Sequence, residues 1–206
     1  AKDEDGRSYF ELMRQKFRQV GYQTEYKVLS ADDYGVLQKR KRIILIGKRT
    51  DVEFDYPAPD VVPANYTVGA IFSGLPRIQA GEGNFRYYLP RERHSQWLDD
   101  AHIHSTYPIT YHCARPNCER DLEIYRHVVT LWNEERQRLN YSQLPAELKT
   151  HANQTTFLDR FKVVAANKRA SQTVVAHIAK DGHYYIHPDI AQNRSITPRE
   201  AARLQT

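Results

Sequence analysis

The chain has 206 residues, 40% of them hydrophobic and 27% charged. That balance excludes a disordered polymer and allows one large domain or two small ones. The formal net charge of +5 permits a polyanionic partner such as DNA but does not establish one. Two cysteines, Cys113 and Cys118, make no disulfide framework and suit a reducing, cytoplasmic setting. No apolar run approaches membrane-spanning length, and no signal-peptide pattern opens the chain. The first residue is Ala rather than Met, which suggests a piece of a longer product.

The first predicted element is a helix. Ser8 and Glu11 stand in capping-box register, Phe10, Met13, Phe17 and Val20 recur at helical spacing, and Gly21 can close the helix in a left-handed conformation. "TEYKVLSA" reads as a strand, "DDYG" as a turn and "RIILIGKR" as a second strand. That second strand is apolar on both faces, so it belongs inside a sheet. Few other strands of this kind follow, so the sheet is expected to be incomplete, with an edge and an apolar face exposed on strands 25–29 and 43–46. Homo-oligomers through that surface are one expected consequence.

Residues 51–66 carry several prolines and read as an irregular crossover. A helix is predicted over about 118–140, with Leu122, Tyr125, Val129 and Trp132 on one side. "TVVAHIAKDGHYYIHP" reads as a hairpin turning at Asp181-Gly182. The last helix starts at a strong signal: Thr197 as N-cap, Pro198 in the first helical position and Glu200 completing a capping box. The sequence ends about two turns later, inside the element.

The stretch "GVLQKRKRIILIGKR" places Lys39, Arg40, Lys41 and Arg42 directly before the apolar strand. Such cations commonly act as gatekeepers against aggregation, and four in a row also suit a nucleic-acid patch or a targeting tag. Alternation along a strand divides them: Arg40 and Arg42 share one side, Lys39 and Lys41 the other.

Four segments together resemble the C-terminal part of bacterial cytosine-5 DNA methyltransferases. "GYQTEYKVLSADDYGVLQKRKRIILIGKR" is similar to the eighth conserved motif, with its Gln-x-Arg-x-Arg core, and the strand before it. "TVGAIFSGLPRIQAGE" and, more weakly, "YHCARPNCERDLEIYRHV" resemble the target-recognition region. "TVVAHIAKDGHYYIHPDIAQNRSITPREAARLQT" resembles the end of that region running into the ninth motif. The implied fold is α/β. Residues 1–50 would be the terminal helix and strands of a Rossmann-like methyltransferase sheet, 51–190 a mixed α+β target-recognition domain, and 191–206 a return to the catalytic domain.

In that family a Cys thiolate adds to carbon 6 of a flipped cytosine, and carbon 5 takes a methyl group from S-adenosylmethionine. A fixed cation at the ring's O2 stabilises the charge that develops, and Arg suits this by its permanent charge and donor fork. By the resemblance, Arg42 is the O2 contact. Arg40 steadies the catalytic loop or a backbone phosphate. Gln38, Thr173, Arg194 and Arg199 are the DNA-binding candidates, with Gln38 also anchoring the turn; for Arg194 and Arg199 the resemblance first implies a structural role, organising the recognition region against the catalytic domain, and DNA contact only second. Leu37 stands where the family usually has Pro, which bears on the rigidity of that turn. Thr197, Glu200 and Arg203 are structural: the first two cap, and Arg203 is expected to pair with an acid. Thr173-Val174 resembles the Thr plus branched-aliphatic pair near the target base and reads equally as a plain strand start.

His102, His104, His112, Cys113 and Cys118 invite a zinc reading, but C-x4-C lacks a second clean pair, and ordinary cysteines with surface histidines are expected instead. Neither Cys follows a Pro, so neither is the family's nucleophile. The sequence also lacks the Gly-rich cofactor loop and the Glu-Asn-Val triplet. The expectation is therefore a fragment that meets double-stranded DNA, binds no S-adenosylmethionine alone, and needs an N-terminal catalytic half. The alternatives are a non-catalytic DNA-binding module or an inactive remnant.

Overall fold

The computed structural model describes all residues except 1, 3, 5, 54, 63, 89–94, 105, 106, 150, 154 and 176–181. Helix α1 (Tyr9–Gln19) leads into strand β1 (Tyr22–Ser30), a 3-10 turn over Ala31–Tyr34, and strand β2 (Lys41–Arg49). β1 and β2 pair antiparallel from Tyr22–Arg49 to Ser30–Lys41. Gly35 ends the turn at φ +85°, a region that only glycine enters without cost. α1 lies on β1 through Phe10 against Tyr26, with ring centres 4.8 Å apart, and through Arg14, whose Nε donates to Thr24 Oγ1 at 3.2 Å. Ser8 precedes α1, but its side chain makes no cap hydrogen bond; Glu11 pairs with Arg14 instead.

The expectation that β2 lies inside a sheet is corrected. Among the described residues β1–β2 is a two-stranded sheet, and Val28, Ile43 and Ile44 are exposed. The exposed apolar face anticipated from the sequence is present on these strands.

The prolines of 51–66 form no regular element among the described residues. Strand β3 (Gly83–Tyr88) pairs antiparallel with β4 (Pro108–Cys113), with the short helix α2 (Gln96–Asp100) between them in sequence. Helix α3 (Glu119–Glu135) buries Ile124, Tyr125, Val128, Val129 and Trp132, and Leu122 packs at the margin of the same cluster. It ends where Arg136 turns left-handed at φ +59°. Leu139, Tyr141, Leu144, Leu148 and Phe161 close over this face. A second core joins Leu37, Val68, Ile71, Trp97, Val174 and Leu204.

The described parts of the predicted 173–188 hairpin, 173–175 and 182–188, do not form a ladder; 176–181 lie outside the described residues. Each part pairs elsewhere. The Val174 amide donates to Gln38 Oε1, and Ile186 bridges both Val163 and Ser195. The two parts meet through a side chain, with the Tyr185 hydroxyl donating to Thr173 O at 2.9 Å.

The last helix, α4 (Pro198–Arg203), has the predicted start. Thr197 Oγ1 accepts from the Glu200 amide at 3.2 Å, and the Glu200 carboxylate accepts from the Thr197 amide at 2.7 Å. The expected acidic partner of Arg203 is corrected. Its Nη1 donates to the Ile71 and Ser73 carbonyls, both at 2.7 Å, and so caps the 3-10 turn Val68–Phe72. Burial, then the nearby Arg199 charge, lower its pKa to about 10.

Candidate nucleic-acid interface

Two segments 134 residues apart in sequence are joined by hydrogen bonds. Ser171 N donates to Leu37 O and Lys39 N donates to Ser171 O, both at 2.9 Å, so residues 37–39 and 171 form a short parallel bridge. Gln38, only 1% exposed, accepts the Val174 amide on Oε1 at 2.5 Å. Arg40 Nη1 donates to the Val174 carbonyl at 3.1 Å. The Thr173 hydroxyl donates to Lys39 O, and the Tyr185 hydroxyl donates to Thr173 O at 2.9 Å while accepting from Val175 N at 3.1 Å. Backbone groups buried here thus find partners on the other segment, which fixes the junction's geometry.

Leu37 explains its own departure from the family's Pro. Its side chain is 1% exposed in the core with Val174 and Tyr185, worth roughly 1.5–3 kcal/mol of burial. Hydrogen bonds on both sides, rather than a ring, hold the turn.

The predicted site residues therefore divide. Gln38, Arg40 and Thr173 come together at the junction. Arg42 follows on β2, exposed, with its one described hydrogen bond running from Nη1 to Lys41 O at 2.7 Å. Its remaining guanidinium donors have no partner among the described residues.

Arg194 is elsewhere, and its expected DNA contact is corrected. It is 1% exposed, and its guanidinium donates to Glu200 twice at 2.7 Å, to Ile78 O at 3.0 Å, to Ser195 O at 3.1 Å and to Gln192 Oε1 at 2.8 Å. Every donor direction is taken inside the protein. Arg199 is half-buried and spends its Nε on the Thr110 carbonyl at 2.8 Å, with Nη2 on the Thr110 hydroxyl; it ties α4 to β4.

Sequence reasoning missed what surrounds this pair. Burial pushes the Glu200 carboxyl up, but the Arg194 hydrogen bonds and charge outweigh it and hold Glu200 below the usual carboxylate range. His187 Nε2 lies 3.8 Å from Glu200, and burial lowers that imidazole to about 4. His112, expected at the surface, is fully buried. Its Nε2 lies 2.9 Å from Pro76 O and its Nδ1 3.1 Å from Thr197 Oγ1. A carbonyl accepts only, so Nε2 carries the proton and Nδ1 accepts the Thr197 hydroxyl. Burial lowers this pKa as well, in keeping with a neutral ring. The only sequence signal was the capping box that brings Thr197 and Glu200 together.

Cys113 and Cys118 are free thiols, and among the described residues no three His, Cys, Asp or Glu side chains are grouped to hold a metal. None of the described helices is long and apolar enough to cross a membrane.

The profile of the C-5 cytosine-specific DNA methylase family matches residues 1–206. The chain belongs to that family. It is 37% identical over 218 aligned positions to the type II methyltransferase M.Bpa9945I of Bacillus paralicheniformis, covering 97% of this chain and 48% of the relative. It is 25% identical to the type II methyltransferase M.DdeI of Desulfomicrobium norvegicum, covering 95% of this chain and 47% of that protein. The chain thus spans about half the length of these curated relatives. A crystal structure of a candidate DNA modification methyltransferase from an E. coli prophage shares the fold at TM-score 0.57 and 18% identity, over 98% of this chain and 55% of that one.

Family members use S-adenosylmethionine, and the residues here do not fit it. Gly81 lies just before β3 and Gly83 opens it, instead of following a strand and opening a helix, so among the described residues they make no nucleotide cradle. This chain's residues are accordingly assigned no cofactor contact.

Proposed function

We propose that this chain supplies the DNA-facing and base-holding part of a cytosine-5 DNA methyltransferase. Residues 1–50 belong with a Rossmann-like catalytic domain, 51–190 form the target-recognition domain, and 191–206 return to the catalytic domain. Arg42 donates to O2 of a flipped cytosine, stabilising the charge that builds on the ring during attack at carbon 6. Arg40, tied to the Val174 carbonyl, holds the recognition segment against the strand that carries Arg42. The nucleophile and the cofactor loop come from polypeptide other than these 206 residues, and methyl transfer needs both halves. The partner DNA is double-stranded, and the setting is cytoplasmic.

The observation that supports this reading most is the junction. Gln38 and Arg40 from one motif and the segment of Thr173 from another meet through direct hydrogen bonds, with Arg42 exposed two residues further on.

The test combines the chain with a separately produced family half that carries a Pro-Cys loop and a Gly-rich cofactor loop. Transfer of a radiolabelled methyl group to duplex DNA is measured. Arg42→Ala is expected to lower the rate on the order of 100-fold or more, the scale for losing one donor to developing charge, with duplex affinity little changed. Transfer at an undiminished rate by Arg42→Ala refutes the assigned role. Steep salt-dependent duplex binding with no transfer from any half favours a non-catalytic binding module instead.

A further inference from the structure

Beside the junction lies a cleft of about 320 Å3. Lys39, Arg138 and Lys168 line it, and no Asp or Glu is among its lining residues. The three cations come from separate places: the lead-in to β2, the segment after α3, and the loop following Ala165. All three are exposed. The backbone of two of them is nevertheless held. Lys39 has its amide bonded to Ser171 O at 2.9 Å and its carbonyl to the Thr173 hydroxyl. Lys168 has its amide bonded to Ala165 O at 3.1 Å, its carbonyl accepting the Val68 amide at 2.8 Å, and its Nζ 4.8 Å from the centre of the Trp132 ring. Among the described residues none of the three forms a salt bridge. The acid that feels Arg138, Asp159, is already paired with Lys162 at 2.7 Å.

Converging cations without a facing carboxylate repel one another, and an anion in the cleft relieves that repulsion. Gln172 and Thr173 add neutral polar groups to the rim. The position selects the anion. The cleft shares Lys39 and Thr173 with the junction, so its occupant lies beside the segment that leads into β2. Strand alternation set Lys39 only on the side opposite Arg40 and Arg42; the fold brings it together with two cations more than 95 residues away in sequence.

We propose that Lys39, Arg138 and Lys168 form a binding cleft for the DNA backbone phosphates that flank the target base. This rests on the DNA role proposed above. The cleft contributes salt-dependent affinity and carries no sequence readout, since phosphates are alike at every position.

Fluorescence anisotropy with a labelled mixed-sequence duplex, over about 50–200 mM salt, tests it. Replacing all three (Lys39→Gln, Arg138→Gln, Lys168→Gln) is expected to flatten the slope of log affinity against log salt by roughly 2–3, near 0.9 per lost phosphate contact. Affinity at about 0.1 M salt should fall at least 10-fold. The control removes the same charge from exposed cations outside the cleft (Lys16→Gln, Arg18→Gln, Arg120→Gln) and should keep a slope within about 0.5 of the parent. An unchanged slope in the cleft variant overturns the proposal. Equal flattening in both variants also overturns it, because net charge then suffices. A parent chain that binds no duplex at all removes both this cleft and the proposed DNA role, whereas a binding parent with an insensitive cleft removes the cleft alone.

Discussion

Replacing Arg194 with Met tests the reading of the buried pair most directly. Met fills much of the same space and carries no charge. The change deletes five hydrogen bonds and leaves the Glu200 carboxyl, 1% exposed, facing the Thr197 amide and a neutral His187. Breaking a buried ion pair from one side costs about 3–5 kcal/mol. At roughly 2–4 °C per kcal/mol for a chain of this size, Tm should fall by about 6–20 °C. The pH dependence carries a sign. In the parent, Glu200 is held below its ordinary value, so its contribution is present above pH 4.5 and lost as pH falls through the folded value. In Arg194→Met, burial outweighs the remaining Thr197 hydrogen bond, and the carboxyl is expected to titrate above its ordinary value. That variant therefore regains stability as pH falls from 7, and its gap to the parent narrows. Urea denaturation at pH 7 and pH 5 measures both. The double variant Arg194→Met/Glu200→Gln removes the stranded charge, keeps an acceptor for Thr197, and should be more stable than the single. A loss under about 1 kcal/mol at pH 7, or a gap as wide at pH 5, refutes the reasoning.

Two further outcomes follow from the same region. His187 is neutral in the fold down to about pH 4 and ordinarily titrates at 6.5. The unfolded chain binds that proton first, so stability is full above 6.5 and declines by roughly 3 kcal/mol toward pH 4; urea midpoints for the parent and His187→Gln should converge in acid. Gly83→Ala would set a Cβ 2.4 Å from His112 O and 2.7 Å from Cys113 Cα at φ +113°, with backbone on both sides. A cost of at least about 3 kcal/mol is expected from the dihedral and the clash, read as lost amide-exchange protection along β3 and β4. Retained protection would contradict it.

Local rules made the first hairpin, α3 and α4 legible in the sequence. The α4 start carries its signal within four residues, Thr197 to Glu200, and the structure repeats it bond for bond. The β3–β4 pair had no such signal: it opens on Gly83 and Pro108, and its register depends on a glycine that lets two backbones touch. The 173–188 arms have strong strand propensity, yet their described backbone groups find partners at Gln38, Val163 and Ser195, a competition no local pattern records. The same holds within the site. Arg40 and Arg42 were separable from Lys39 by strand alternation. That Arg194 is buried, however, depends on Ile78, 116 residues away, and the role of Lys39 on residues brought beside it by the core.

The junction also governs how this protein could be recombined with its relatives. A graft of the middle of the chain must rejoin two seams: residues 37–40 with 171–174, and β4 with α4. The first exchanges mainly backbone hydrogen bonds, which any sequence can supply, apart from Gln38 and Arg40, which stay with the host, and Thr173, which the insert must bring. The second runs through Arg199 on Thr110 and His112 on Thr197, so an insert needs a hydroxyl and an imidazole two positions apart on its own strand. Chimeras that keep those side chains should fold with foreign loops between the seams. Those cut inside either seam should not.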